Sequence, residues 1–153
     1  MDTPTTMRVR DAIKDRALYL ALLVRSFGTV LPASTVVELA RAAIFEFGRI
    51  KGQRDGGRIT PEDWVDRHLS KGSAAVFESD IVKEPGFCEQ QMTYCPLKEA
   101  WQELGCSAEE IDLLCDIAME VDRGRADYHG IPLEIPERMG AGGTRCRLVL
   151  RKG

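Results

Sequence analysis

The sequence has no long hydrophobic run and no stretch dominated by charge of one sign. Its longest apolar segment, "ALYLALLV" at residues 17–24, falls far short of the roughly 20 residues that a membrane-spanning helix needs. Acidic and basic residues are interspersed and give a net charge of -3, so no basic stripe is available to neutralise nucleic-acid phosphates. We therefore expect neither a membrane nor a nucleic acid as a partner.

A secretory signal pattern is also missing. The opening segment, "MDTPTTMRVRDAIKD", begins with an acid and lacks the succession of basic, apolar and small residues that precedes a cleavage site. We expect a cytoplasmic protein. In that compartment five cysteines, an odd number, are expected as thiols, redox groups or metal ligands rather than as a disulfide framework.

Length and composition favour one domain over residues 1–153. A chain of 153 residues with 44% hydrophobic residues can bury one core, and it is short for two. The periodicity of the apolar residues divides the chain into a helical part, residues 1–72, and a part with strands and helices, residues 73–153.

Three helices are predicted in the first part. Apolar residues recur at helical spacing from Val9 to Phe27 and from Val36 to Ile50, and a glycine follows each run. "TPED" at residues 60–63 has the order of a helix start, which predicts a third helix to about Lys71. His68 lies on the apolar face of this helix, where we expect a partly buried, hydrogen-bonded core residue.

Two hairpins and two helices are predicted in the second part. "AAVFESDIVKE" and "GFCEQQMTYC" flank the turn residues "EPG", which favours a first hairpin. "PLKEAWQEL" predicts a fourth helix, and the capping box "SAEE" at residues 107–110 starts a fifth.

"GIPLEIPERM" and "TRCRLVLRK", joined by "GAGG", form the second hairpin, and Pro132 and Pro136 place its first strand at a sheet edge. The predicted fold class is α+β: N-terminal helices packed on a small antiparallel sheet of about four strands, with two helices inserted between the hairpins.

Three of the cysteines are expected to face a common interior. Cys95 lies where a strand meets the N-terminus of the fourth helix, whose free N–H groups favour a thiolate. Cys115 lies on the apolar face of the fifth helix, and Cys146 shares a face of the last strand with Leu148. Two interpretations stay open: small hydrophobes in a core, or a chemical site in which these thiols act as nucleophile or metal ligands. No CxxC pair and no zinc-finger spacing is present.

Few other residues carry chemistry. Asp116 recurs with Asp112 and Glu120 at helical spacing, which ordinarily gives a solvated acidic face, and it is distinguished by following Cys115. His129 in "DYHGI" is expected in a loop before a strand, as a functional group or as a solvated side chain. Arg145 and Arg138 are cations that could hold a carboxylate.

The C-terminal half resembles a known family. "YCPLKEAWQELG", "LLCDIAMEVDRG" and "GAGGTRCRLVL" are similar to the L-2-amino-thiazoline-4-carboxylic acid hydrolase family over residues from about 85 to 151. The resemblance implies a hydrolase that opens a cyclic amidine, a thiazoline carboxylic acid, at its C–N bond to give a carbamoyl-cysteine. It implies Cys95 as nucleophile or ligand with Cys115 and Cys146 beside it. Asp116 and His129 are then the candidates for proton transfer.

The closing segment also resembles 4-vinyl reductase type domains, small-molecule sensors that can hold zinc. Those domains usually place a cysteine eight residues before the last one, and Arg138 stands at that position here. The alternative is therefore a non-enzymatic small-molecule-binding or sensor module, with or without a metal held by Cys95, Cys115 and Cys146. The cofactor is unknown on this basis, a divalent metal such as zinc being the candidate, and a homodimer stays open.

Overall fold

Helices form the first half of the chain, and a sheet with three further helices forms the second. The computed structural model describes residues 2–153. The helices are α1 Pro4–Phe27, α2 Ala33–Arg54, α3 Pro61–Ser70, α4 Ser73–Phe77, α5 Pro96–Glu103, α6 Ala108–Ala118 and α7 Glu120–His129. The strands are β1 Ser79–Glu84, β2 Phe87–Met92, β3 Leu133–Glu137 and β4 Cys146–Arg151, and a 3₁₀ turn spans Met139–Ala141. Within the described residues, no helix combines the length and apolarity that crossing a bilayer requires.

The four strands form one antiparallel sheet in the order β1-β2-β4-β3. The α+β class and the four-stranded antiparallel sheet are therefore confirmed. β3, which contains Pro136, lies at the edge as predicted, because a proline cannot donate to a second neighbouring strand. Cys88, Leu148 and Leu150 on the central strands pack with Trp64 of α3 in one core cluster.

A second core cluster joins α1 to the helices that follow the first hairpin. Ala17 and Ala21 of α1 pack with Trp101, Leu114 and Cys115. The indole N–H of Trp101 donates to the carbonyl oxygen of Ala17 over 2.9 Å. Two small residues on α1 thus allow the large buried ring of α5 to lie directly against the helix backbone.

α2 and α7 cross where both carry glycine. A Cβ at Gly48 would collide with the carbonyl oxygen of Val121, and one at Gly124 would collide with that of Phe45. The two backbones therefore touch at this crossing, and no side chain fits between them.

The segment 74–77, predicted as the start of a strand, is helical instead. Gly72 and Glu78, on either side of α4, adopt left-handed backbone conformations with φ of 74° and 49°. The guanidinium of Arg10 donates to the carbonyl oxygens of Ala75 and Val76. These tertiary contacts outweigh the β propensity of Val76 and Phe77.

The polar segment after the fifth predicted helix is also helical, which the sequence pattern missed. The chain turns at Met119, and α7 continues to His129. Its sequence "EVDRGRADYH" lacks a regular apolar stripe, because the face that packs on α2 is made of Gly124 and its neighbours. On α3, Trp64 and Val65 are buried, whereas Leu69 is 49% exposed.

We predict that Gly124→Ala lowers the free energy of unfolding by about 1–3 kcal/mol, because the added methyl meets backbone that cannot rotate away. This is the net loss, because the clash outweighs the gain of about 1 kcal/mol that alanine brings to a helix interior. Urea denaturation measures it, with the exposed Gln53→Ala on α2 as the control. Equal midpoints for the two variants would contradict the close crossing of α2 and α7.

We also predict that Ser107→Ala destabilises the protein by about 1 kcal/mol. The Ser107 hydroxyl accepts from the backbone N–H of Glu110 over 3.1 Å, and the Glu110 carboxylate accepts from the Ser107 N–H over 3.3 Å. Ser70→Ala is the matched control, since that hydroxyl bonds to a carbonyl at the end of α3 and caps no helix N-terminus. A loss in Ser107→Ala no larger than that of the control would show that the cap is dispensable.

Candidate active site

Cys95 is the N-cap of α5. Its backbone is extended, Pro96 occupies the first turn, and the sulfur accepts the N–H of Lys98 over 3.5 Å. Burial raises the pKa of the Cys95 thiol, and the Lys98 N–H only partly offsets this. The expectation of a lowered pKa at the helix N-terminus was wrong, because desolvation of the thiolate outweighs the helix end.

A cleft of about 300 Å³ opens beside this thiol. Its lining residues are Tyr94, Cys95, Lys98, Glu99, Gln102 and Met139. Three of them, Lys98, Glu99 and Gln102, lie in the first two turns of α5, and Cys95 is its N-cap. Apart from Cys95, the sequence pattern did not single them out, although Lys98, Glu99 and Gln102 directly follow the Cys-Pro motif.

The cleft carries one fixed negative charge beside one positive charge. The Tyr94 hydroxyl donates to the Glu99 carboxylate, and this hydrogen bond lowers the pKa of Glu99. Burial, followed by the same bond, raises the pKa of Tyr94 to about 12. Lys14 of α1 lies 3.4 Å from Glu99. Glu99 is therefore an anion and Tyr94 a neutral phenol at neutral pH, with Lys98 the adjacent cation.

The three predicted thiols surround one short turn. The sulfur of Cys146 accepts the N–H of Met139 over 3.2 Å. Cys115 packs against Gly140 so closely that a Cβ there would collide with it. Cys95 shares the cleft with Met139. The structure thus brings Cys95, Cys115 and Cys146 together around the backbone of residues 139 and 140.

The three thiols differ in their exposure to solvent. Cys115 and Cys146 are buried, whereas Cys95 keeps part of its surface exposed. Burial, with a smaller effect from Cys95 and Cys115, raises the pKa of Cys146 to about 12. A solute can therefore reach Cys95 first. Within residues 2–153, no three cysteine, histidine, aspartate or glutamate side chains are arranged to hold a metal ion, and metal binding by the three thiols stays a prediction.

Asp116 is held by arginines. Arg41 and Arg123 donate to its carboxylate over 2.5 and 2.9 Å. Burial alone would raise the pKa of Asp116, but these hydrogen bonds lower it. The carboxylate is ionised at neutral pH and joins α2, α6 and α7, which favours a structural role over proton transfer.

The two arginines predicted as carboxylate binders are also engaged. Arg138 donates to the Asp112 carboxylate over 2.7 Å. Burial would lower the pKa of Arg138, but hydrogen bonds with Cys115 and Asp112 raise it. Arg145 donates to the side-chain oxygen of Gln91 over 2.7 Å. Neither guanidinium lines the cleft beside Cys95.

His129 is the last residue of α7 and is buried, not in a loop as predicted. Its Nδ1 accepts the N–H of Ile59 over 3.3 Å, so Nε2 carries the proton and donates to Asp55 over 2.8 Å. Arg125 binds the same carboxylate with two hydrogen bonds of 2.9 Å. Both ring nitrogens are used by the fold, and none is left for a substrate.

The other histidine follows its prediction. His68 is partly buried, and its Nε2 lies 2.9 Å from the Ser79 hydroxyl. Burial lowers the pKa of His68 to about 4, so the ring is neutral at pH 7. It acts as a hydrogen-bonded core residue.

Comparison with known proteins gives one result for nearly the whole chain. The model of a family described as L-2-amino-thiazoline-4-carboxylic acid hydrolase matches residues 10–150. No curated protein and no solved structure matches the chain. The match reaches into the N-terminal helices, where no sequence motif had been found.

We predict that Cys95 reacts with iodoacetamide before Cys115 and Cys146 in the folded protein, because it alone of the three is partly exposed. Its raised pKa makes the thiolate scarce at neutral pH, so the rate should rise about tenfold per pH unit from 7 to 9 without a plateau. Peptide mapping by mass spectrometry separates Cys95 from the half-buried Cys106. A plateau below pH 8 would contradict the raised pKa.

Proposed function

The chain belongs to the L-2-amino-thiazoline-4-carboxylic acid hydrolase family, and we propose that it hydrolyses a small cyclic amidine bearing a carboxylate, of the thiazoline acid class. The observation that supports this most directly is the partly exposed thiol of Cys95 in a cleft that also presents Lys98 and Glu99. A nucleophile and two opposite charges are the groups that such a substrate needs.

The charges of the cleft complement those of the substrate. Lys98 attracts the carboxylate, and the anion of Glu99 attracts the amidinium. The neutral Tyr94 keeps Glu99 anionic by donating to it. The volume of about 300 Å³ suits a single five-membered ring with its substituents, at the small end of ligand sites.

The substrate itself can activate the thiol. The raised pKa keeps Cys95 protonated, and a neutral amidine is a strong base that can take this proton at the ring nitrogen. The resulting thiolate attacks the amidinium carbon C2 and forms a C–S bond to Cys95. The ring C2–S bond then breaks, because a thiolate is a better leaving group than an amine, and the ring sulfur takes a proton.

Water completes the reaction. It adds to the same carbon, the bond to Cys95 breaks, and the water oxygen becomes the carbonyl oxygen of a urea. Cys95 recovers its proton, and the two hydrogens of water end on the ring nitrogen and the ring sulfur. The product is N-carbamoyl-cysteine. Opening at the C–N bond, which the family resemblance implies, would give the S-carbamoyl isomer with a free amine instead.

A small-molecule-binding module without catalysis is the second candidate. It is favoured by the raised pKa values of Cys95 and Cys146, since unreactive thiols suit a cleft wall better than a nucleophile. In that case the thiazoline acid binds in the cleft and is not consumed.

We predict that the purified protein releases one thiol for each thiazoline acid consumed, and that Cys95→Ser abolishes this while leaving the fold intact. Cys106→Ser is the matched control, because Cys106 is half-buried but does not line the cleft. Lys98→Met should raise KM more than it lowers kcat, since it removes only substrate attraction. Thiol titration and mass spectrometry of the product measure the reaction.

Full activity in Cys95→Ser would overturn the role of Cys95. Thermal stabilisation by the thiazoline acid without product would favour the binding module, since a ligand at a hundred times its Kd stabilises by about 2.7 kcal/mol. Metal analysis of protein purified without added metal tests the remaining possibility that the thiols hold zinc.

A further inference from the structure

An apolar groove of about 380 Å³ separates α1 from α2, away from the residues of the Cys95 cleft. Its walls are apolar along their length and include Leu20, Val24 and Phe27 of α1 with Val36, Ala40 and Ile44 of α2. Large side chains at its rim are open to solvent: Phe27 is 52% and Leu39 58% exposed. Nothing in the proposed hydrolysis uses this groove.

The groove leads toward a set of charges. Arg16 lies four residues before Leu20 on α1, and Lys51 lies seven residues after Ile44 on α2. Both spacings keep a residue on the same helix face, so the two cations continue the walls of the groove at the end remote from the α1–α2 connection. Asp122 of α7 lies within electrostatic reach of both.

Lys51 and Asp122 are partly buried, whereas Arg16 keeps much of its surface exposed. Burial lowers the pKa of Lys51 and raises that of Asp122. Within residues 2–153, none of the three forms an ion pair. Arg125, another cation near Lys51, is already bound to Asp55.

Positive charge is therefore in excess at this end. Arg125 is neutralised by Asp55, whereas Arg16 and Lys71 add positive charge near Lys51 and Asp122 adds negative charge. A purely apolar cover would bury Arg16 and Lys51 without an anion, and the same surface of a second copy would add two more cations for each added acid, so either cover is costly. A single molecule with an apolar chain and one anionic group complements both the apolar walls of the groove and the cations at its end.

We propose that the α1–α2 groove binds a medium-chain carboxylic acid, with the acyl chain between the helices and the carboxylate at Arg16 and Lys51. The distance supports a chain of this class. Phe27 to Arg16 is eleven residues of α-helix, about 16 Å at 1.5 Å per residue. This is a ligand site separate from the Cys95 cleft, and it does not depend on the proposed hydrolysis.

Isothermal titration calorimetry with straight-chain acids from hexanoate to dodecanoate tests the proposal. Affinity should rise about fourfold for each added methylene and level off when the chain fills the groove. Decanoate should bind at least tenfold more tightly than decanol, because only the acid pairs with the cations.

Variants assign the two parts of the site. Ala43→Trp fills the groove and should abolish binding of both decanoate and decanol, whereas Ala42→Trp, the exposed neighbour that does not line the groove, should leave binding unchanged. The double variant Arg16→Met with Lys51→Met should remove the preference for decanoate over decanol. Arg54→Met, an exposed cation one turn further along α2, should keep it.

Several outcomes would overturn the proposal. These are no decanoate binding by the folded wild-type protein, binding that survives Ala43→Trp, equal affinity for decanoate and decanol, or a stable dimer that is broken by Ala43→Trp. The wild-type comparison of acid and alcohol needs no variant and therefore stands even where a substitution impairs folding. Thiazoline hydrolysis measured on Ala43→Trp separates this site from the proposed function, since a loss of one activity without the other identifies which proposal fails.

Discussion

The crossing of α2 and α7 is the constraint on which the rest of the structure depends. Gly48 and Gly124 let the two backbones touch, and this contact places the C-terminal end of α2 beside α7. Asp55 can then accept from both Arg125 and His129. The same approach brings Lys51 and Asp122 within electrostatic reach. A larger residue at either glycine would separate the helices and disrupt the buried polar network together with the charged end of the groove.

Burial, more than local electrostatics, sets the chemistry of the thiols. A helix N-terminus stabilises an adjacent anion by about 0.3–1 kcal/mol where it is exposed, whereas burial of a charged group costs more. At Cys95 the second effect is larger, and the pKa rises. A thiol of this kind is unreactive until a base arrives, and in the proposed hydrolysis the amidine substrate would supply that base.

Local signals in the sequence predicted the fold well, and long-range contacts account for the errors. Ser107 and Thr60 cap helices as their capping motifs indicate, and Pro136 lies on an edge strand. The helix at residues 73–77 was missed because Arg10, distant in sequence, binds its carbonyl groups. His129 was misplaced because the polar α7 packs through glycine rather than through an apolar stripe. The three cysteines could be predicted as site residues from their positions on the helices and strands. Lys98 and Glu99 are recognised as site residues only because the folded chain places them in the cleft.

α1 forms one wall of the groove and contributes an ion-pair partner to one residue of the cleft. Lys14 of α1 forms an ion pair with Glu99 of the cleft. Leu20 and Val24 of the same helix line the groove. Electrostatic coupling through Lys14 is weak, because ion pairs this exposed contribute about 0–1 kcal/mol. Movement of α1 is opposed by the buried bond from Trp101 to Ala17 and by the packing around it. A chain bound in the groove would therefore displace exposed side chains at its rim, such as Phe27 and Leu39, before it moved α1, and we expect the two sites to act independently.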